Sequence, residues 1–185
     1  MKKDIKILSF DLGAIYGYAY SSYNRLNNRL TVLEADTINL NKYIKDVNEF
    51  SGLCSPKRQK FMIFEKHIEE LLNTFSNVDI IASEDVFVNP HRVNAHLSLI
   101  IYLDTLERLV VTIKKIPLYK IPPRSIKALL TGSGNANKID MQQSLLDNPD
   151  IIFRKKAIVK KMSTHSADAI AVGYSIAKDI SSSLI

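Results

Sequence analysis

The stretch Lys6-Ile-Leu-Ser-Phe-Asp-Leu-Gly13 constrains this chain most. It is an apolar run that ends in a carboxylate and then a glycine. A continuous apolar run marks a central strand buried on both faces of its sheet. An Asp at the end of such a strand sits at the sheet rim, and carboxylates are rarely buried unless paired or bound to metal. Taken alone, Asp11 is equally well explained as the cap of a turn into Gly13. Its meaning depends on whether other carboxylates occupy comparable places further on.

They do. Tyr16–Tyr23 alternates aromatic with small residues, Asn27-Asn28 makes a turn, and Arg29–Ala35 is a third strand, which together predict an antiparallel meander. Residues 36–55 are polar and irregular, with a short helix near Tyr43. Phe61, Phe64, Ile68, Leu71, Leu72 and Phe75 then recur at helical spacing, with Pro56 fitting the first turn. Val78–Glu84 is a short apolar strand ending in a second acid. A crossover helix followed by a strand points to α/β order, with Glu84 beside Asp11 if the two strands are neighbours. His91–Val111 predicts a long helix whose apolar face exceeds what packing on a sheet requires. Ile116–Ile121 is an edge-strand candidate because of Pro117. Short helices follow at Arg124–Leu130 and Lys138–Asp147, then a basic stretch, Arg154–Lys161. The last helix, from Thr164, carries His165 and Asp168 three apart on one face of its first turn, with Ser163 or Thr164 as cap.

Three carboxylates thus occupy the same kind of place: Asp11, Glu84 and Asp168. Packed together they repel one another, so a cation should balance them, and hard oxygen ligands select Mg2+ or Mn2+. Such ions clamp the attacking and leaving oxygens of a phosphodiester. Charge placement agrees. The 185 residues carry 25 Lys and Arg against 19 Asp and Glu, and between Lys114 and Lys161 the count is 11 against 3. A basic segment beside a near-neutral remainder suits a polyanion, nucleic acid first. Length and composition are those of one globular domain spanning residues 1–185. One cysteine, Cys54, allows no intrachain disulfide and no cysteine metal cluster. No membrane span or signal-like run is present, so a cytoplasmic protein (in a bacterial cell, or a host cell if viral) is expected.

Four ordered pieces resemble the RuvC family of Holliday junction resolvases. Phe10-Asp11-Leu12-Gly13 is similar to the first acid motif, and Ser83-Glu84-Asp85-Val86-Phe87 to the second. Pro123-Arg-Ser-Ile-Lys-Ala-Leu-Leu-Thr-Gly-Ser-Gly-Asn-Ala-Asn-Lys138 resembles the P-x-x-V-K…TG-x-G-x-A-x-K segment. His165-Ser-Ala-Asp168-Ala-Ile-Ala-Val matches the [DH]-x-x-D-A-[LI]-A motif. The resemblance implies an α/β, RNase H-like fold, with a central mixed sheet flanked by helices. It implies a homodimer whose two sites each nick one strand of a four-way DNA junction. Asp11, Glu84 and Asp168 would be metal ligands for two Mg2+ or Mn2+ ions, with His165 a ligand or close neighbour. Phe87 would stack on a base, Lys127 and Lys138 would contact the scissile phosphodiester, and Arg124 would contact DNA nearby.

The chain departs from the pattern after Gly13, at Ser133, and in its longer polar segment before Phe61. These departures mark a divergent member, of a kind a phage or virus could carry. They leave open a broader branched- or flap-DNA nuclease, or a silent binder of branched DNA. An actin-like ATPase shares Asp-x-Gly after a first strand, but it needs a second glycine-rich phosphate motif that is missing here.

Overall fold

The computed structural model describes residues 2–44, 54–86 and 93–182. Strands β1 (Asp4–Asp11), β2 (Ile15–Asn24) and β3 (Arg29–Asn39) form the antiparallel meander. Helix α1 (Pro56–Thr74) crosses to β4 (Ile80–Glu84), which lies parallel to β1. Helix α2 (Val93–Glu107) leads to β5 (Leu118–Ile121). Then come α3 (Pro123–Thr131), α4 (Lys138–Asp147), β6 (Ile151–Phe153), α5 (Lys156–Lys161) and α6 (Thr164–Ser182). The sheet order is β5-β4-β1-β2-β3-β6, with β5, β4 and β1 mutually parallel and β6 parallel to β3. The expected mixed sheet is present, and β5 is an edge strand, as Pro117 predicts.

The apolar run of β1 is explained by two cores. Ile5 and Ile7 belong to a core with Ala82, α6 and apolar residues of α3 to α5 on one face. Leu8 and Phe10 belong to a second core, with Ile81 and apolar residues of α1 and α2, on the other. Strand alternation then decides where the acids point. Asp11 falls on the face of Ile5 and Ile7, and Glu84 on the face of Ala82, so both look towards α6.

Four details differ from the sequence reading. β3 runs on to Asn39, because Thr37 and Ile38 continue the pairing with Gly17 and Tyr16. β6 is new; three residues are too few to show a period. The basic stretch is partly a helix, α5. The helix expected over His91–Val111 widens after Glu107 into a π turn, Arg108–Ile113, where the Lys114 N–H donates to the Leu109 carbonyl at 3.0 Å. His91, like Phe87, lies outside the described residues. Among those that are described, no helix is long and apolar enough to cross a membrane.

Candidate active site

Phe10 pairs with Ser83 across β1 and β4, so Asp11 and Glu84 stand one step further along adjacent strands. On its other side Asp11 pairs with Gly17, and Gly17 with Thr37. The first turn of α6 lies over this row. A Cβ on Gly17 would fall 2.0 Å from the His165 carbonyl oxygen, so the helix seats only because that side chain is missing. Ser163 caps α6: its Oγ accepts from the Ser166 N–H at 3.1 Å, and Ser166 Oγ accepts from the Ser163 N–H at 2.9 Å, a reciprocal capping box. Thr37 holds the Ser163 hydroxyl from β3. Further along, Ser9 Oγ donates to the Ala169 carbonyl at 2.7 Å, and Gly173 passes so close to Ser9 that a Cβ would fall 2.8 Å from its Oγ.

These contacts bring His165 and Asp168 to the two strand-end acids. His165 Nδ1 donates to Asp11 Oδ2 at 2.7 Å, which raises the imidazole above its ordinary pKa. Glu84 is pushed up to about 7, first by burial and then by the charges of Asp11 and Asp168. Asp168 is raised to about 6 by burial and Asp11. Lys138 and Lys127 oppose both shifts.

The lysines come from the segment with the extended motif. Gly132 (φ 76°) ends α3 in the left-handed conformation. Thr131 Oγ1 donates to the Lys127 carbonyl at 2.8 Å and accepts from the Ser133 N–H at 3.2 Å, tightening the turn. Asn137 caps α4 by accepting from the N–H groups of Ile139 and Asp140. Lys138 opens that helix, and its Nζ lies 3.8 Å from Asp168 Oδ2. Lys127 is half-buried nearby, whereas Arg124 is exposed and its charge does not figure among the influences on Glu84 or Asp168. The structure therefore gathers Asp11, Glu84, His165, Asp168, Lys138 and Lys127, and leaves Arg124 at the periphery. Leu12, Val86, Leu99 and Pro123 line the cleft beside Asp11 and Glu84, about 200 Å3 in volume.

The donor set suits a divalent cation chemically. It is three hard carboxylates, two of them pushed towards their neutral forms by burial and then by their neighbours' charge, with an imidazole alongside. As the side chains stand, Asp11 is engaged by His165 and Asp168 by Lys138. Among the described residues no three His, Cys, Asp or Glu side chains are arranged to hold a metal ion.

The burial of Glu84 beside two other acids has a consequence for stability. Glu84 holds its proton more tightly in the folded chain than in the unfolded one. Its contribution is full below about pH 4.5 and is lost as pH rises through about 7. Glu84→Gln should therefore raise the metal-free stability at pH 8 by about 1–3 kcal/mol and change it little at pH 4. Thermal melts in chelator at both pH values check this.

By sequence alone, no family model and no curated protein matches the chain. Solved structures do. Thermus thermophilus RuvC in complex with a Holliday junction superposes with a TM-score of 0.69 at 15% identity, covering 97% of this chain and 96% of that one. The yeast mitochondrial Holliday junction resolvase Ydc2 gives 0.66 at 16% identity, over 96% and 82%. The fowlpox virus resolvase with Holliday junction DNA gives 0.56 at 15%, over 95% and 99%. Over nearly its whole length, the chain has the RNase H-like fold of the RuvC-type Holliday junction resolvases.

Proposed function

We propose that this protein is a metal-dependent, structure-selective endonuclease that resolves four-way DNA junctions by paired nicks. The observation that carries this reading is the gathering of Asp11, Glu84, Asp168 and His165 at one sheet rim, with Lys138 and Lys127 beside them, on the resolvase fold.

Asp11, Glu84 and Asp168 would hold the Mg2+ or Mn2+ ions, with His165 beside them. When bound, the ions stabilise the attacking and leaving oxygens of an in-line displacement at phosphorus. The chain's own groups do the rest. Glu84 and Asp168 would serve as ligands in their ionised forms. His165 orients the Asp11 carboxylate. Lys138 and Lys127 offset charge that develops on the phosphoryl oxygens. The products would be a 5′-phosphate and a 3′-hydroxyl. Arg124 and the stretch containing Phe87 would meet DNA around the site, Phe87 by stacking on a base.

Paired nicks need two sites. Leu97, Ile100 and Ile101 are exposed on α2, and Val111 and Ile113 just beyond it, which supports a homodimer through that face. Sedimentation should show a dimer that Leu97→Asp with Ile101→Asp shifts to monomer. A wild type that stays monomeric at every concentration would contradict this.

The reading is tested by labelled four-way, three-way, flapped and linear DNA, with chelator and with Mg2+ or Mn2+ restored. Metal-dependent cutting confined to the four-way form is the expected result. Equal cutting of every branched form would reduce the function to a general branched-DNA nuclease. Binding without cutting would favour a silent binder.

A further inference from the structure

A second groove lies beside the acid cleft, between α1, α2 and the turn that follows β1. Its volume is about 540 Å3, within the range of ordinary ligand sites. Lys57, Lys60 and Phe61 form one wall, at i, i+3 and i+4 on one face of α1. Leu99 and Tyr102 of α2 form the other, and Gly13 closes the end nearest Asp11. Leu99 also lines the acid cleft, and Gly13 follows the cleft's Asp11 and Leu12 in the chain, so the two adjoin. The floor is apolar and aromatic: the Phe61 and Tyr102 rings meet edge to face at 4.9 Å.

The charges are oddly placed for a merely structural helix. The first turn of α1 contains no acid, although a helix N-terminus favours acids. Lys57, Arg58 and Lys60 follow in that turn and the next. Among the described residues none of the three takes part in an ion pair. Cations at the positive end of a helix, beside an aromatic floor, suit an occupant that carries both anionic charge and flat apolar faces. A second copy of this chain would bring its own lysines to the same place. A free phosphate would leave the aromatic floor uncovered.

We infer that this groove holds the DNA strand running on from the acid cleft, with backbone phosphates at Lys57 and Lys60 and a base against Phe61. The inference rests on the nuclease reading and adds to it a track on the α1–α2 side, opposite the basic segment of α3 to α5.

The test is binding of a fluorescent four-way junction in chelator, between 50 and 200 mM salt. It compares wild type, Lys57→Ala/Lys60→Ala, Phe61→Leu and, as a control outside the groove, Lys66→Ala. Each phosphate contact contributes about 0.9 to the slope of log affinity against log salt for duplex DNA, and about 0.7 for a single strand. The double variant should lose between about 1.4 and 1.8 of slope and about tenfold in affinity near 150 mM. Phe61→Leu should weaken binding about fivefold or more with its slope intact. Lys66→Ala should match wild type. Melting temperatures establish that every variant is folded. A folded double variant with wild-type slope and affinity overturns the inference while leaving the nuclease reading in place, and so does a Lys66→Ala effect of equal size. A wild type that binds no branched DNA overturns both.

Discussion

Asp11→Asn should bind a four-way junction at least as tightly as the wild type and cut it at least about a thousandfold more slowly, a loss of about 4 kcal/mol of transition-state stabilisation. The substitution keeps the shape of the side chain and removes its charge. Asp11 stands at the centre of the site, bonded to His165 and acting on both Glu84 and Asp168, so no other residue replaces it as a metal ligand. Binding is spared because phosphate affinity resides in the lysines, and one repelling carboxylate has gone. The variant also carries its own control. Asp11 is among the causes that raise Glu84 and Asp168, so its neutralisation relieves both. The metal-free protein should therefore melt higher at pH 8 than the wild type does, and lost activity with gained stability cannot be misfolding. Normal cutting by the variant would remove Asp11 from the chemistry. Lost activity with a lower melting temperature would make its role structural.

Gly17→Ala should be the most damaging small substitution in the sheet. The new Cβ would meet the His165 carbonyl at 2.0 Å, its carbon at 2.3 Å and the Ser166 nitrogen at 2.8 Å. All three are backbone atoms, so no side chain can swing aside. Either α6 lifts from β2 or the strand bends, at a cost of about 3 kcal/mol or more and a Tm lower by roughly 10 °C. Because the displaced turn carries His165 and Asp168, whatever folded protein remains should cut poorly. Gly132→Ala is the contrast. Its φ is +76° but nothing lies within 4 Å of the new Cβ, so about 1 kcal/mol and little activity should be lost. Similar melting temperatures for the two variants would mean that close seating of α6 on β2 is not what places the helix.

Much of this arrangement was legible in the residues. Asp11 and Glu84 close apolar strand runs, and His165 and Asp168 share a helical turn. Those local patterns survive because each needs only its own neighbours in sequence. Lys127 and Lys138 came from the family resemblance alone; that Gly132 ends α3 and Asn137 caps α4, which sets their spacing, is seen only in the structure. Strand order was less legible. That β4 lies directly beside β1, and that alternation aims both acids at α6, depends on pairing between distant segments. Gly17 looked like any small residue in an alternating strand, since its purpose lies in a helix 148 positions later. Thr37 was read as irregular because its stretch of β3 is polar. Lys57 and Lys60 lie outside the densest run of charge, and their spacing alone does not distinguish them from a solvated helix face. α1 adds its cations from elsewhere in the chain.

In the proposed function, two coordinated sites act on one junction. A supercoiled plasmid bearing an extruded cruciform tests it most directly, incubated with wild-type protein and Mg2+ or Mn2+. Paired nicks across the four-way junction convert the circle to a linear molecule without a lag, with 5′-phosphates at both cuts. That is the predicted result. Accumulation of nicked circles alone, or a plasmid left intact with the protein bound to it, would contradict the account.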